Sequence, residues 1–257
     1  MDLLPVESIQ DIIRCLPQND QLTFSLLSKR LRVIGLDVAL KTIKMNGWKA
    51  VYDWDRLLDY FKEVVMGCCC SLSCTIDNIG SSDPRKSGDY YANFFTQHLN
   101  GFGELTSLHL IAVHLDAHQL ILIKDSQPHI TELTLNNCLS TLDGFAMLIN
   151  NFPKLTHLTL INIGHHSIPD EKLPPHLPAQ SPRKLIIADF NRGSVPILNW
   201  IFSEPWDGVS VLEGKNTPRM ATQHFIESAS ANVRDLDLQE NLLCTYRDRP
   251  MIPPWEC

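Results

Sequence analysis

The fold is decided between residues 105 and 163, where one phrase occurs three times. The chain reads Leu105-Thr-Ser-Leu108-His-Leu110-Ile-Ala-Val113, then Ile130-Thr-Glu-Leu133-Thr-Leu135-Asn-Asn-Cys138, then Leu155-Thr-His-Leu158-Thr-Leu160-Ile-Asn-Ile163. Successive copies begin 25 residues apart, and each has apolar residues at positions 1, 4, 6 and 9. The alternation around positions 4 and 6 is typical of a β-strand with one buried face.

Three equally spaced copies of a four-position pattern indicate a repeat rather than the amphipathic strands of an ordinary α/β domain. The pattern is that of a leucine-rich repeat, whose strand lies at Leu-x-Leu. Further copies begin at Pro182, Trp206 and Val233, although the Trp206 copy fits poorly, so six turns are predicted. Stacked turns bury one continuous core, and an Asn or Cys at position 9, such as Cys138, normally bonds to the inner backbone.

Composition and charge place the chain among globular proteins. Of its 257 residues, 44% are hydrophobic and 20% are charged, and the net charge is −7. A negative net charge does not favour binding to nucleic acid by neutralising phosphates. The first 22 residues lack the basic segment and apolar core of a signal peptide, and no apolar run approaches the roughly 18 residues of a membrane span. We therefore expect a cytoplasmic or nuclear protein that binds neither nucleic acid nor membrane.

The first 40 residues carry a helical pattern instead of the repeat. Apolar residues at the spacing of one helical stripe are Ile9, Ile12, Ile13 and Leu16. Pro5 suits the first turn of this helix and Pro17 ends it. Asp20 is the expected N-cap of a second helical segment. That segment is expected to bury Leu27, Leu31 and Ile34.

This N-terminal stretch resembles an F-box over about residues 3–43. The elements occur in order: Leu-Pro-x-Glu from Leu4, an Ile-rich helix, Leu-Pro-x-x-Asp from Leu16, and Leu-x-Ser-Lys-Arg-x-Arg from Leu26. The resemblance implies a three-helix unit that binds a Skp-type adaptor and, through it, a cullin–RING ubiquitin ligase. The positions that match adaptor-facing residues of the family are Leu4, Pro5, Glu7, Ile9, Ile12, Ile13, Leu16, Pro17, Leu26 and Leu27.

A helical unit of about 40 residues is below the size that normally folds without help, so its surplus apolar residues need a further surface. That surface belongs either to a partner or to the repeat stack, which the unit would then merely cap. The sequence leaves both alternatives open.

The predicted fold is α/β: a small all-helical F-box (residues 1–45), a helical linker with an atypical first repeat (46–104), and a leucine-rich-repeat solenoid with a C-terminal tail (105–257). Its parallel strands would line a concave face. Residues 46–66 are predicted to form one helix of about five turns, and Leu72-x-Cys74-x-Ile76 an imperfect first strand. Return helices are expected at 142–152, at 195–202 and after Thr217, whereas the Pro-rich residues 165–182 indicate an extended loop.

No motif in the chain predicts catalysis, a cofactor or a metal. The metal-like cluster consists of Cys68, Cys69, Cys70 and Cys74. It lacks the paired spacing of a structural zinc site, so buried thiols are the better interpretation. The sequence has no nucleophile elbow, phosphate loop or His-Glu-x-x-His. An enzyme or zinc protein that uses the cysteine cluster is kept as an alternative, which metal analysis would test.

Outward-facing residues of the predicted strands are expected to form columns that bind a target protein. Ile161, Ile186 and Leu212 form an apolar centre with polar neighbours, which is the anatomy of a protein interface. The predicted target-binding residues are Ile111, Glu132, His157, Ile161, Ile186, Leu212, Asp235 and Asp237.

Two functions of different classes follow. In the first, the chain is a non-enzymatic substrate receptor whose F-box binds the ligase adaptor and whose repeat face holds a target protein near the ubiquitin carrier. In the second, it is a repeat scaffold that binds protein partners without any link to a ubiquitin ligase.

Overall fold

The computed structural model describes residues 4–75, 94–95, 97–115, 129–165, 182–189, 194–201, 211–215 and 235–239. Its helices are α1 (Val6–Arg14), α2 (Gln18–Phe24), α3 (Lys29–Leu40), α4 (Gly47–Asp55), α5 (Asp59–Cys68), α6 (Leu142–Asn150) and α7 (Val195–Ile201), with a 3-10 turn at Leu99–Gly101. Its strands are β1 (Thr42–Asn46), β2 (Ser71–Thr75), β3 (Ser107–Ile111), β4 (His114–Leu115), β5 (Glu132–Asn136), β6 (Leu139–Ser140), β7 (His157–Ile161), β8 (Gly164–His165), β9 (Lys184–Ala188), β10 (Val211–Lys215) and β11 (Asp235–Gln239).

An eight-stranded sheet runs through the chain in the order β1-β2-β3-β5-β7-β9-β10-β11. Every neighbouring pair is parallel. The register aligns equivalent residues of the repeated phrase, since Leu108 pairs with Leu133 and Leu133 pairs with Leu158. A second parallel sheet consists of β4, β6 and β8. The spacing of 25 residues therefore corresponds to one step from strand to strand.

One face of the larger sheet forms the core. Side chains at positions 4 and 6 of the three phrases are buried, namely Leu108, Leu110, Leu133, Leu135, Leu158 and Leu160. Helix α6 covers them with Phe145 and Ile149, and Thr141 caps this helix by accepting a hydrogen bond from the Gly144 N–H. The predicted helical stripe between the second and third phrases is confirmed, and in α7 Leu198 and Ile201 are buried as expected.

Position 8 of the repeat adopts a left-handed backbone conformation. Its φ angle is 57° at Ala112, 53° at Asn137, 46° at Asn162 and 55° at Asp189, and the equivalent residue after β1 is Gly47 at 72°. Glycine, asparagine and aspartate tolerate this region, whereas an alanine Cβ is crowded there. The Asn162 side-chain amide also donates to the side-chain oxygen of Asn137. Among these position-8 residues, Ala112 is therefore the one whose side chain is least compatible with a left-handed backbone conformation.

We expect Ala112→Asn to raise stability by about 0.5–1 kcal/mol, because asparagine relieves part of the left-handed strain and can pair with Asn137. The midpoint of urea unfolding would measure the change. Asn137→Ala is the reciprocal control and should lower the midpoint. A lower midpoint for Ala112→Asn would contradict the strain argument.

Side chains also bond from turn to turn. The hydroxyls of Thr131 and Thr156, both at position 2, donate to the position-2 carbonyl of the preceding phrase over 3.3 and 3.0 Å. The Cys138 thiol donates to the Leu110 carbonyl over 3.3 Å. The expectation that Cys138 at position 9 bonds to the inner backbone is therefore confirmed.

The sheet begins earlier than predicted. Strand β1 follows α3 directly and pairs with β2, so residues 42–45 belong to the sheet and not to the helical unit. The predicted single helix at 46–66 is wrong, because it breaks at residues 56–58 into α4 and α5. In α4, Trp54 packs against Phe94 and stacks on Phe102, each with ring centroids 5.7 Å apart. These aromatic contacts attach α4 to the core of the sheet.

The register predicted for the fifth phrase is wrong. Val211 of β10 pairs with Lys184, and Leu212 pairs with Leu185. The repeat phrase therefore begins at Val209 instead of Trp206, three residues later. Leu212 therefore lies at an inner register position, and Lys215 takes the outward position beside Ala188 that Leu212 was expected to occupy. Glu213 lies beside Ile186.

The N-terminal helices have a small core of their own, formed by Ile9, Ile13, Leu31, Ile34 and Val38. Helices α2 and α3 approach closely, since a Cβ at Gly35 would lie 2.9 Å from the Ser25 Cβ. Ser28 caps α3 by accepting a hydrogen bond from the Leu31 N–H. Pro17, not Asp20, precedes α2, so the predicted N-cap is wrong.

Several sequence predictions lie outside the described residues. They are the helix after Thr217, residues 166–181 of the Pro-rich loop, and the C-terminal tail from residue 240. Among the residues that are described, no helix combines the length and the apolar character needed to cross a bilayer.

Candidate protein-binding surfaces

An apolar surface covers part of the three-helix unit. Leu26 and Leu27 are 71% and 66% exposed, although they are large aliphatic residues, so the expectation that Leu27 is buried is wrong. They lie in the turn between α2 and α3, where their N–H groups donate to the carbonyls of Thr23 and Phe24. The backbone is thus held by hydrogen bonds while both side chains remain available for a partner.

Further exposed residues lie on the same three-helix unit. Leu4 and Ile12 are exposed, as the F-box resemblance implies, and so are Pro5, Glu7 and Pro17, whereas Leu16 is half-buried. Three exposed apolar residues were not predicted: Val6, Leu22 and Val33. The sequence could have indicated their exposure, because each is an apolar residue outside the helical stripe that forms the core. The Arg30 guanidinium donates to the Leu4 carbonyl over 2.8 Å and so joins the start of the chain to α3.

Ile9 and Ile13 do not belong to this surface. They are 1% and 0% exposed, because they pack against Leu31, Ile34 and Val38 of α3. The expectation that they face an adaptor is wrong, since a fully covered side chain has no area to bury against a partner. Their contribution is to hold α1 on α3.

The second surface is the outward face of the larger sheet. Glu132 and His157 are exposed, whereas Ile111, Ile161 and Ile186 are half-buried. Leu212 does not belong to this face, because its backbone pairs with Leu185 at an inner register position. The backbone of Asp235 pairs with Val211 and that of Asp237 with Glu213, which places both at outward register positions of β11.

A pocket of about 220 Å³ opens on this face between β5, β7 and β9. It is lined by Glu132, Leu133, Thr134, His157, Thr159, Lys184 and Ile186. The Lys184 ammonium forms an ion pair with the Glu213 carboxylate at 2.6 Å. The sequence did not predict this pair, because Glu213 reaches the face only in the register that the structure adopts.

His109 lies near the pocket on β3. Burial lowers its pKa, and the nearby Glu132 carboxylate opposes that shift. The Ser107 hydroxyl lies 2.9 Å from Nε2 of His109. His109 is therefore mostly uncharged at neutral pH and contributes hydrogen bonding rather than charge.

Two members of the cysteine cluster are buried thiols, whereas Cys68 and Cys70 are half-buried. Cys69 and Cys74 are buried, and burial raises the pKa of Cys69 to about 12 and that of Cys74 further. A thiol that stays protonated is a poor metal ligand and a poor nucleophile. Within the described part of the chain, no group of three or more His, Cys, Asp or Glu side chains could hold a metal ion.

Comparison with known families identifies the helical unit. Residues 1–42 match the family model of the F-box domain, which covers α1, α2 and α3 and ends at the first residue of β1. The whole chain gives no significant match to curated proteins. The protein thus carries an F-box domain, joined directly to a parallel sheet.

Proposed function

We propose that the protein is the substrate-recognition subunit of an SCF-type ubiquitin ligase. The observation that carries the proposal is the F-box domain at residues 1–42, with Leu26 and Leu27 exposed on its surface. F-box domains bind Skp-type adaptors, and such an adaptor would connect this chain to a cullin. An apolar surface that the unit's own core does not need is well suited to a partner.

The sheet is the proposed target-binding part, and we interpret it as a leucine-rich-repeat solenoid. Support comes from the phrase spacing of 25 residues, the parallel strands in chain order, and the hydrogen bonds that repeat from turn to turn. Such a stack presents one broad face built from equivalent positions of successive strands.

In this proposal the chain is not an enzyme and works in the cytoplasm or nucleus. Ubiquitin transfer belongs to other subunits of the ligase, and this chain contributes proximity by holding the target near the ubiquitin carrier. The alternative, a repeat scaffold without a ligase role, differs in one respect that can be measured: it would form no complex with the purified adaptor.

Adaptor capture and target capture can be separated by a change on the sheet face. We expect Ile161→Glu with Ile186→Glu to reduce the amount of captured partner by at least about ten-fold. The reason is that two charges replace half-buried apolar contacts at the centre of the proposed interface. Binding to the purified adaptor should be unchanged. Affinity capture followed by mass spectrometry measures the first effect, and co-purification measures the second.

Tyr60→Glu with Phe61→Glu is the matched control, since both residues are exposed apolar side chains on α5, away from the sheet face. It should retain the partners. If the face variant keeps its partners, the target site lies elsewhere, and if that variant unfolds, its two isoleucines belong to the core.

A further inference from the structure

The pocket on the sheet face is lined by one carboxylate, that of Glu132. Glu132 is exposed and forms no ion pair with any residue in the described part of the chain. Lys184 lines the same pocket, but its ammonium is bound to Glu213 at 2.6 Å. A close pair of opposite charges is neutral as a unit, so the remaining charge of the pocket is negative.

His109, on the neighbouring strand, does not supply a positive charge to the pocket. His109 is half-buried on the adjacent strand, and its lowered pKa leaves it mostly uncharged at neutral pH. His157, at the pocket itself, has Nδ1 2.9 Å from the Thr156 hydroxyl. The imidazoles therefore offer ring surface and hydrogen bonding beside the carboxylate.

The other lining residues suit a long side chain with a polar end. Ile186 and the methyl groups of Thr134 and Thr159 give apolar contact, and the two hydroxyls can accept hydrogen bonds. Lysine and arginine pack their methylene stems on apolar surface while the charged end meets an acceptor. A carboxylate is the strongest acceptor for that end.

We propose that this pocket binds a lysine or arginine side chain of the target protein. The inference rests on the proposed function and states the chemistry that the sheet face would recognise. An acidic side chain would have to compete with Glu213 for Lys184 and would be repelled by Glu132. A nucleic-acid phosphate would meet the same repulsion.

Selection of random peptides displayed on phage against the purified full-length chain tests this pocket. Peptides that bind the wild-type chain are expected to be enriched in lysine or arginine at one position. Glu132→Gln preserves the shape of the side chain and removes its charge. It should therefore lower the affinity for these peptides by at least about ten-fold. Glu63→Gln, an exposed glutamate on α5, is the matched control and should change nothing.

Charge reversal gives the decisive result. Glu132→Lys should reject the selected peptides and accept versions in which the basic residue is replaced by glutamate. Peptides that depend on Ile161 and Ile186 but show no basic preference, or are indifferent to Glu132→Gln, would overturn this inference and leave the proposed function standing. If no peptide binds, or if none depends on the two isoleucines, the proposed target face fails together with the pocket.

Discussion

Replacing Leu26 and Leu27 together with alanine should abolish binding to a Skp-type adaptor. Both side chains are more than half exposed in the turn between α2 and α3, so they contribute little to the core of the unit. Truncating a central apolar residue of an interface commonly costs about 2 kcal/mol or more, and two such losses correspond to at least about a 100-fold weaker complex. The stability of the free chain should change by less than about 1 kcal/mol. Calorimetric titration with purified adaptor measures the affinity, and circular dichroism confirms the fold.

Leu57 and Leu58 provide the matched control. They are also consecutive exposed leucines in a turn between two helices, here α4 and α5, but they lie outside the F-box match. Leu57→Ala with Leu58→Ala should leave adaptor affinity unchanged. Full-strength adaptor binding by the Leu26 and Leu27 variant would mean that the adaptor surface lies elsewhere on the chain.

Leu160→Ala is expected to cost about 2–5 kcal/mol, the range for removing a buried leucine side chain and leaving a cavity. Leu160 is 1% exposed and lies at position 6 of the third phrase, where it faces the core between Leu135 and Ile187 of the neighbouring strands. Because such a loss approaches a large fraction of a domain's total stability, partial unfolding at room temperature is a realistic outcome. The midpoint of urea unfolding gives the measurement.

The neighbour Thr159 supplies the control for this prediction. It is half-buried on the opposite face of the same strand, so Thr159→Ala should cost less than about 1 kcal/mol. A one-residue error in register would exchange the two results, because successive side chains of a strand point to opposite faces.

The positions of the three central strands could be predicted from the sequence. Equal spacing of the phrases at Leu105, Ile130 and Leu155 allows their apolar positions to share one core only when the strands stack in the same register, and the structure has this register. The F-box motif likewise predicted a helical unit at the start of the chain, since its prolines and apolar stripe lie close together along the chain.

Which apolar residues of that unit are buried depends on how its helices pack against each other, and the sequence does not show this. Ile9, Ile12 and Ile13 share one stripe in the sequence, yet the first and third are covered by α3 whereas Ile12 is 44% exposed. The spacing of apolar residues shows which side of a helix faces the core, and that side covers about one third of the helix circumference. Only the position of the packed neighbour specifies which residues at the edge of that face lose contact with water.

The register of β10 depended on the same kind of information. Val209 and Val211 fit the two inner apolar positions of the phrase better than Leu212 and Gly214 do, so local periodicity favours the alignment that the structure does not adopt. The choice is made by backbone pairing with β9, which places Leu212 beside Leu185 and brings Glu213 to Lys184. Spacing along a chain shows which residues share a face, but hydrogen bonds and packing between distant segments determine what lies opposite that face.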